Sequence, residues 1–303
     1  MTGWLVTGAG GMLGRDVCDV LSAAGVPALP FTRPELDLTD EAAVTRVLER
    51  ARPSVVVNCA AWTDVDGAED DESGAWQANA HGVSVLARAC ADAGSRLLHV
   101  STDYVFSGDA DAPYSEDART SPRSAYGRSK LAGERAVLET LPHSGTVVRT
   151  AWLYGAHGGN FVRTLAERAA AGSEADVVDD QFGQPTWTRE VAGRLLALGR
   201  LPAAAATGVF HATSAGRTSW YGLAREIYRL CGEDADRVRP MSSASLRRRA
   251  RRPAWSVLGH GRWAAVGEPP PPDWRTVLTR AFSSVVHGGP AHEAALRAAR
   301  KGI

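Results

Sequence analysis

Short apolar runs alternate with longer stretches whose apolar positions recur at helical spacing through the first half of the chain. Trp4 to Thr7 is followed by Met12 to Ala24, Val26 to Phe31 by Glu41 to Ala51, and Ser54 to Cys59 by Ala75 to Ala93. Arg96 to Ser101 and Thr146 to Thr150 then flank a helical pattern from Tyr126 to Glu139. Strands that alternate with helices of this length predict a parallel sheet joined by crossover helices. Val55-Val56-Val57 and Leu97-Leu98 are apolar on both faces, as a sheet covered by helices on both sides requires.

After Thr150 the regularity weakens. The pattern predicts a helix from Asn160 to Ala171, short strands near Val177 and Val209, and a helix from Trp220 to Cys231. The chain is long enough for one large α/β unit or for a nucleotide-binding domain with a second lobe. The division expected is a Rossmann-type domain over 1–155 with later strands interleaved from about 175–215, a substrate-binding lobe over 156–285, and a tail over 286–303. The run Glu268-Pro-Pro-Pro-Pro272 reads as a rigid connector, and Ala291 to Lys301 as a helix-forming tail.

Charge narrows the partners. Lys+Arg 34 against Asp+Glu 34 gives no net charge, so no global footprint for nucleic acid or an anionic membrane exists. The densest basic run, Arg247 to Arg252, is short and has no interleaved aromatics, which suits a solvated or phosphate-facing loop. Cys18, Cys59, Cys90 and Cys231 lie far apart with no CxxC pair, which argues against a zinc site or disulfide framework. With no readable signal peptide or membrane anchor, the expected location is the cytoplasm. His81, His99, His143, His157 and His211 show no metal-ligand spacing, and no metal site is expected.

Two motifs carry chemistry. Gly8, Gly11 and Gly14 recur every three residues where the first strand meets the first helix, around Met12 and Leu13. Glycines there permit a tight turn and close backbone approach to a pyrophosphate, which the helix N-terminus stabilises. At the end of the second strand, Thr32 and Arg33 offer donors and a positive charge suited to a 2′-phosphate, which favours NADPH. Asp37 and Leu38 are placed to border the adenine. Glu35 and Asp37 leave NADH possible, and Arg33 facing solvent is the plain alternative. The second motif is Tyr126-Gly-Arg-Ser-Lys130, which puts phenol and ammonium on one helix face, where the ammonium is expected to lower the phenol's pKa. Ser101-Thr102-Asp103 ends the fourth strand, at the sheet edge where open α/β folds place active sites.

These residues, with Asn58-Cys-Ala60-Ala61, Arg149-Thr-Ala-Trp152, Asp180-Gln-Phe-Gly-Gln184-Pro and Arg252-Pro-Ala-Trp-Ser-Val-Leu258, resemble the extended short-chain dehydrogenases/reductases, and within them the dTDP-4-dehydrorhamnose reductase family, over about residues 3 to 280. The resemblance implies a Rossmann-type doubly wound parallel sheet with a smaller C-terminal substrate-binding lobe. It implies Thr102, Tyr126 and Lys130 as catalytic residues, with Ser101 as a rival for Thr102's role. Hydride passes from the nicotinamide to a C4 keto carbon in that chemistry, and Lys130 also binds the nicotinamide ribose. Ala60 and Ala61 would join the cofactor contacts. Tyr104, Trp152, Asn160, Gln184 and Arg252 would contact a dTDP-linked 4-keto-6-deoxyhexose, with Arg252 on the diphosphate. Related 4-keto-sugar reductases, such as the dihydrostreptose synthase type, and a non-catalytic NADP-binding regulatory subunit share the pattern. A monomer or homodimer is expected.

Overall fold

The computed structural model describes residues 3–288. Its centre is a six-stranded parallel sheet formed by β1 (Trp4–Thr7), β2 (Ala28–Phe31), β3 (Val55–Asn58), β4 (Arg96–Thr102), β5 (Gly145–Thr150) and β6 (Gly208–His211). Their spatial order is β2-β1-β3-β4-β5-β6, so the direction of winding reverses between β1 and β3. A crevice opens at such a reversal beyond the strands' carboxyl ends. Register places Thr7 beside Asn58, Asn58 beside His99, and Thr102 beside Thr150.

Alternation along the strands builds a core on each face. Trp4, Val6, Val55 and Val57 face helices α1 (Met12–Ala23) and α2 (Thr188–Arg200), meeting Leu13, Val17, Val191 and Leu195. Gly199 leaves room for the Trp4 indole, which a Cβ there would strike. Leu5, Val56 and Leu97 face the other way, packing with Leu48, Val83, Leu86 and Val137 of the helices Glu41–Ala51, Gly82–Ala93 and Ala125–Thr140.

A third core belongs to the lobe. Here Val162, Leu165, Leu223, Ile227, Trp274 and Leu278 join the helices Phe161–Ala170, Trp220–Leu230 and Trp274–His287. Of the two late strands expected from sequence, Gly208–His211 completes the central sheet, whereas Ala175–Val178 pairs with Val238–Met241 in the lobe. The helices Thr188–Arg200 and Trp274–His287 were not anticipated. The helical tail expected over 291–301 lies outside the described residues.

Candidate active site

Gly8 sits at φ +66°, and a Cβ on it would lie 2.5 Å from the Ala60 nitrogen. A Cβ on Gly14 would collide with the Gly8 carbonyl and come within 2.8 Å of the Ala9 Cα. Gly11 precedes α1 as its cap residue and supplies no side-chain acceptor, so the first-turn N–H groups of Met12, Leu13 and Gly14 remain open to an anion. The crowding explains the glycines: the turn packs against the backbone of residues 59–60 on one side and the first turn of α1 on the other. Ala60 is half-buried and Ala61 exposed beside this loop.

At the end of β2, Thr32 donates both its N–H (2.7 Å) and its hydroxyl (2.6 Å) to Glu35. Thr32's donors are thus already taken, and exposed Arg33 is the cation left near a 2′-phosphate. Asp37 accepts from the Thr39 N–H and hydroxyl, which holds its carboxyl below the usual range, and Leu38 is buried.

The second half of the site gathers at the carboxyl ends of β4 and β5. Thr102 donates to Asp103 at 3.0 Å, accepts from the Tyr104 N–H at 3.2 Å, and stands beside the Tyr126 phenol. Tyr126 and Tyr104 meet edge to face at 5.6 Å. Gly127 permits this approach, because a Cβ there would strike the Tyr104 carbonyl. Ser124 caps the helix carrying Tyr126 and Lys130, and Glu69 accepts from the Ala125 N–H at 2.8 Å.

Electrostatics depart from expectation at Tyr126. Burial raises its pKa, Asp103 raises it further, and only the neighbouring Thr102 hydroxyl lowers it. Lys130 does not lower the phenol's pKa: its Nζ donates to the Val100 carbonyl at 2.7 Å and lies 3.3 Å from His99 Nε2. Burial lowers Lys130 to about 8. Desolvation decides both shifts, because it penalises whichever form is charged. Tyr126 is therefore a firmly protonated acid, and Lys130 an amine that exchanges its proton near neutrality. Asp103 is pushed by burial up to about 6. Its Oδ2, the Ser101 hydroxyl and the Thr150 hydroxyl are buried without hydrogen-bond partners. Buried orphan polar atoms are rare, and here they adjoin Thr102 at one strand edge.

The residues expected to meet a substrate divide into two groups. Trp152 holds a left-handed backbone (φ +45°), stacks on Trp220 at 3.6 Å, and lies so close to Gly183 that a Cβ there would be 2.5 Å from the indole. Backbone strain of this kind marks positions where side-chain direction matters. Tyr104 and Arg252 line a cleft with Arg123, Ser124 and Arg251. Arg252 is also held as a fork by Asp66, at 3.0 and 2.8 Å. Asn160 and Gln184 also bond within the fold. Asn160 caps its helix by accepting from the Arg163 N–H and donates to the Gly155 carbonyl, while buried Gln184 bonds the Leu258 backbone on both sides and accepts from Thr213. Each amide keeps one N–H beyond these bonds, and Asn160 a carbonyl lone pair as well.

Sequence reading passed over several residues that build this site. Asn79, in the π-helical turn Gln77–His81, bonds the Trp62 backbone and Ser129, fixing the Ala60–Trp62 loop to the catalytic helix. Glu134 and Arg149 form a buried fork behind Lys130. A signal for Lys130 was available: only two of the 34 basic residues are lysines, Lys130 and Lys301. Elsewhere, Asp16, Asp19 and His157 group their polar atoms at ion-pair distances, with nothing beside them that points to a metal.

A glycine cradle at a helix N-terminus, joined to a Thr/Tyr/Lys cluster at the same sheet edge, defines an NAD(P)-dependent oxidoreductase of the extended short-chain dehydrogenase/reductase type. Comparison with known proteins narrows the class. The model of the RmlD substrate binding domain matches residues 1–286. A dTDP-4-keto-6-deoxy-D-glucose reductase of Streptomyces niveus is 51% identical over 279 residues, covering 92% of this chain and 96% of its own. A dTDP-4-dehydrorhamnose reductase of Streptomyces griseus is 51% identical over 284 residues, 93% of each chain. The crystal structure of dTDP-4-dehydrorhamnose reductase from Bacillus anthracis in complex with NADP superimposes with a TM-score of 0.88 at 34% identity, covering 93% of this chain and 98% of that one. The chain belongs to the dTDP-4-dehydrorhamnose reductase family.

Proposed function

We propose that the protein reduces the C4 keto group of dTDP-4-dehydro-L-rhamnose with NADPH to give dTDP-L-rhamnose. The observation that carries this reading is the convergence of Thr102, Tyr126 and Lys130 beside the orphaned buried oxygens of Ser101, Asp103 and Thr150. The glycine turn fits a dinucleotide, since Gly8 and Gly14 pack it tightly on the neighbouring backbone and leave the uncapped N-terminus of α1 beside it. When bound, the cofactor supplies hydride.

This chain's residues do the rest. Gly11 through Gly14 present N–H groups to the diphosphate, and Arg33 presents its guanidinium to a 2′-phosphate. Tyr126, kept protonated by burial, gives its proton to the developing alkoxide. Thr102 turns its hydroxyl from Asp103 to polarise the same oxygen. Lys130, poised near 8, resupplies Tyr126 with a proton and contacts the nicotinamide ribose. Trp152 and Tyr104 wall the sugar, and Arg252 meets the substrate diphosphate. In this reading residues 1–155 with the strand Gly208–His211 serve the cofactor and 156–285 the sugar. Among the described residues no helix is long and apolar enough to cross a membrane. In this reading the enzyme acts on nucleotide sugars in the cytoplasm.

A second reading, reduction of a different dTDP-4-keto-6-deoxyhexose, is favoured by the equal identity to the S. niveus relative. The intact Thr/Tyr/Lys set opposes a non-catalytic regulatory subunit. Turnover of each dTDP-4-keto-sugar with NADPH, with product identified against standards, separates these readings. Tyr126→Phe should lower kcat by roughly 10²- to 10⁴-fold with NADPH binding nearly intact. Near-normal turnover of that variant would remove Tyr126 from the mechanism.

A further inference from the structure

Beneath the catalytic helix runs a buried polar chain that no part of hydride or substrate handling uses. Thr7 donates its hydroxyl to Asn58 Oδ1 at 2.7 Å, and the Ala60 N–H donates to the same oxygen at 3.0 Å. A backbone N–H has no other role to offer, so the amide orientation is fixed and Asn58 Nδ2 is the donor toward His99 Nδ1 at 3.0 Å. His99 is fully buried, and burial together with Lys130 holds it well below the usual imidazole range, so the ring is neutral. A neutral ring that accepts at Nδ1 carries its single hydrogen on Nε2. That N–H points at Lys130 Nζ, 3.3 Å away.

The consequence lies in counting donors. An ammonium at Lys130 has three N–H groups, one of which goes to the Val100 carbonyl, and it would oppose an N–H on the imidazole. A free amine has a lone pair for the Nε2–H and keeps one N–H toward the cofactor side. We propose that Asn58 and His99 are positioning residues that set the proton state of Lys130 by locking the imidazole in its Nε2–H tautomer. The proposal rests on reading Lys130 as part of the catalytic set, but its main test does not depend on turnover.

Other groups facing Lys130 do not replace this control. Tyr126, one turn earlier on the same helix, is protonated; Cys59 at the end of β3 is an uncharged thiol, pushed up to about 12 by burial. Glu134, one turn later, favours the ammonium but spends both oxygens on Arg149. Gly133 lets the helix close on His99: a Cβ there would strike the Asn79 carbonyl and stand 3.5 Å from His99 Nε2. Among the described residues Lys130 is the one lysine, and its amine can lose a proton in this range where a guanidinium would not.

The test exploits that scarcity. Lys301→Arg leaves Lys130 the only lysine, so ¹⁵Nζ/¹³Cε-lysine labelling gives a single signal to titrate by NMR. Its midpoint should lie near 8. His99→Gln lets an amide oxygen turn to the ammonium, and Asn58→Asp keeps the acceptor for Thr7 and Ala60 while drawing the imidazole proton to Nδ1. Each should raise the midpoint by about one unit or more, a tenfold change in proton affinity. Ring ¹⁵N shifts, assigned by the signal lost in His99→Gln, should show Nε2–H in the parent and Nδ1–H in Asn58→Asp. An Nδ1–H parent ring, or midpoints that stay within a few tenths in both variants, would overturn the proposal. A midpoint that moves while the basic limb of kcat/KM stays put would support the tautomer lock and remove Lys130 from catalysis.

Discussion

The buried pair behind Lys130 allows a stability prediction. Arg149 Nε and Nη2 donate to the two oxygens of Glu134 at 2.9 and 2.7 Å, with side chains 5% and 2% exposed. Glu134→Gln keeps the shape and one acceptor but leaves the guanidinium uncompensated in the interior. Removing one partner of such a pair costs about 3 to 5 kcal/mol. A chain of 303 residues with an unfolding entropy of roughly 2.1 cal/mol/K per residue has a total near 0.64 kcal/mol/K, so the melting temperature should fall by about 5 to 8 °C. The low end is expected because glutamine still accepts one hydrogen bond. Differential scanning calorimetry at fixed protein concentration is the assay, with Glu134→Met/Arg149→Met as its partner. Replacing both charges removes the unpaired ion, so the double variant should melt above the single one. A drop below about 1 °C in Glu134→Gln, or a double variant worse than the single, would refute the claim that the cost is an orphaned charge. Glu134 also favours the Lys130 ammonium, so the same variant should titrate Lys130 below about 8.

Three further outcomes are expected. Arg33→Ala should raise the KM for NADPH more than that for NADH, by about 1.5 to 3 kcal/mol in kcat/KM for a lost charge-assisted contact; equal effects on both would place Arg33 in solvent. Arg252→Ala should raise the KM for the dTDP-sugar with little change in kcat or in NADPH affinity, because a diphosphate contact is shared by ground and transition states; a loss confined to NADPH would assign Arg252 to the other phosphate. Acid should destabilise the protein through histidines buried in neutral form, His211 lowered to about 3 and His260 to about 4. Only the unfolded chain binds these protons between its own pKa near 6.5 and those values, so stability falls with pH in that window, on the order of 2 kcal/mol per histidine at pH 5. Urea unfolding at pH 7 and pH 5 measures it, and equal midpoints would contradict it.

How much of this was legible in the chain depended on how local each signal is. Strands such as Val55–Asn58 and the glycine turn at Gly8 were readable because burial on both faces and backbone crowding leave few residue choices. Tyr126 and Lys130 could be paired from helical spacing alone. The lobe was harder, since strands of two residues, such as Leu153–Tyr154 against Thr186–Trp187, are too short for any periodicity. The helix Trp274–His287 did carry a pattern, Trp274, Val277, Leu278, Ala281 and Val285, hidden behind the proline run. Asn160 and Gln184 show what a motif cannot state: that an amide is needed, but not whether ligand or backbone takes it. Asp66 and Arg252, 186 positions apart, meet only after folding. Tyr126's environment was misjudged because desolvation is a property of the packed site, not of neighbours in sequence.

The sixth strand has a temporal consequence. Gly208–His211 closes the edge of β5, yet residues 151–207 must be synthesised before it exists. At about 5 to 20 residues per second, that exposes the ladder of Val147 and Val148 on the ribosome for roughly 3 to 11 s. An open parallel edge of this kind invites pairing with another chain. A fragment ending at residue 155 would keep that edge permanently, and would lose Phe210 and Trp263 from the core beneath it. The nascent protein is thus most exposed to misassembly midway through its own translation, when its nucleotide half looks finished and is not.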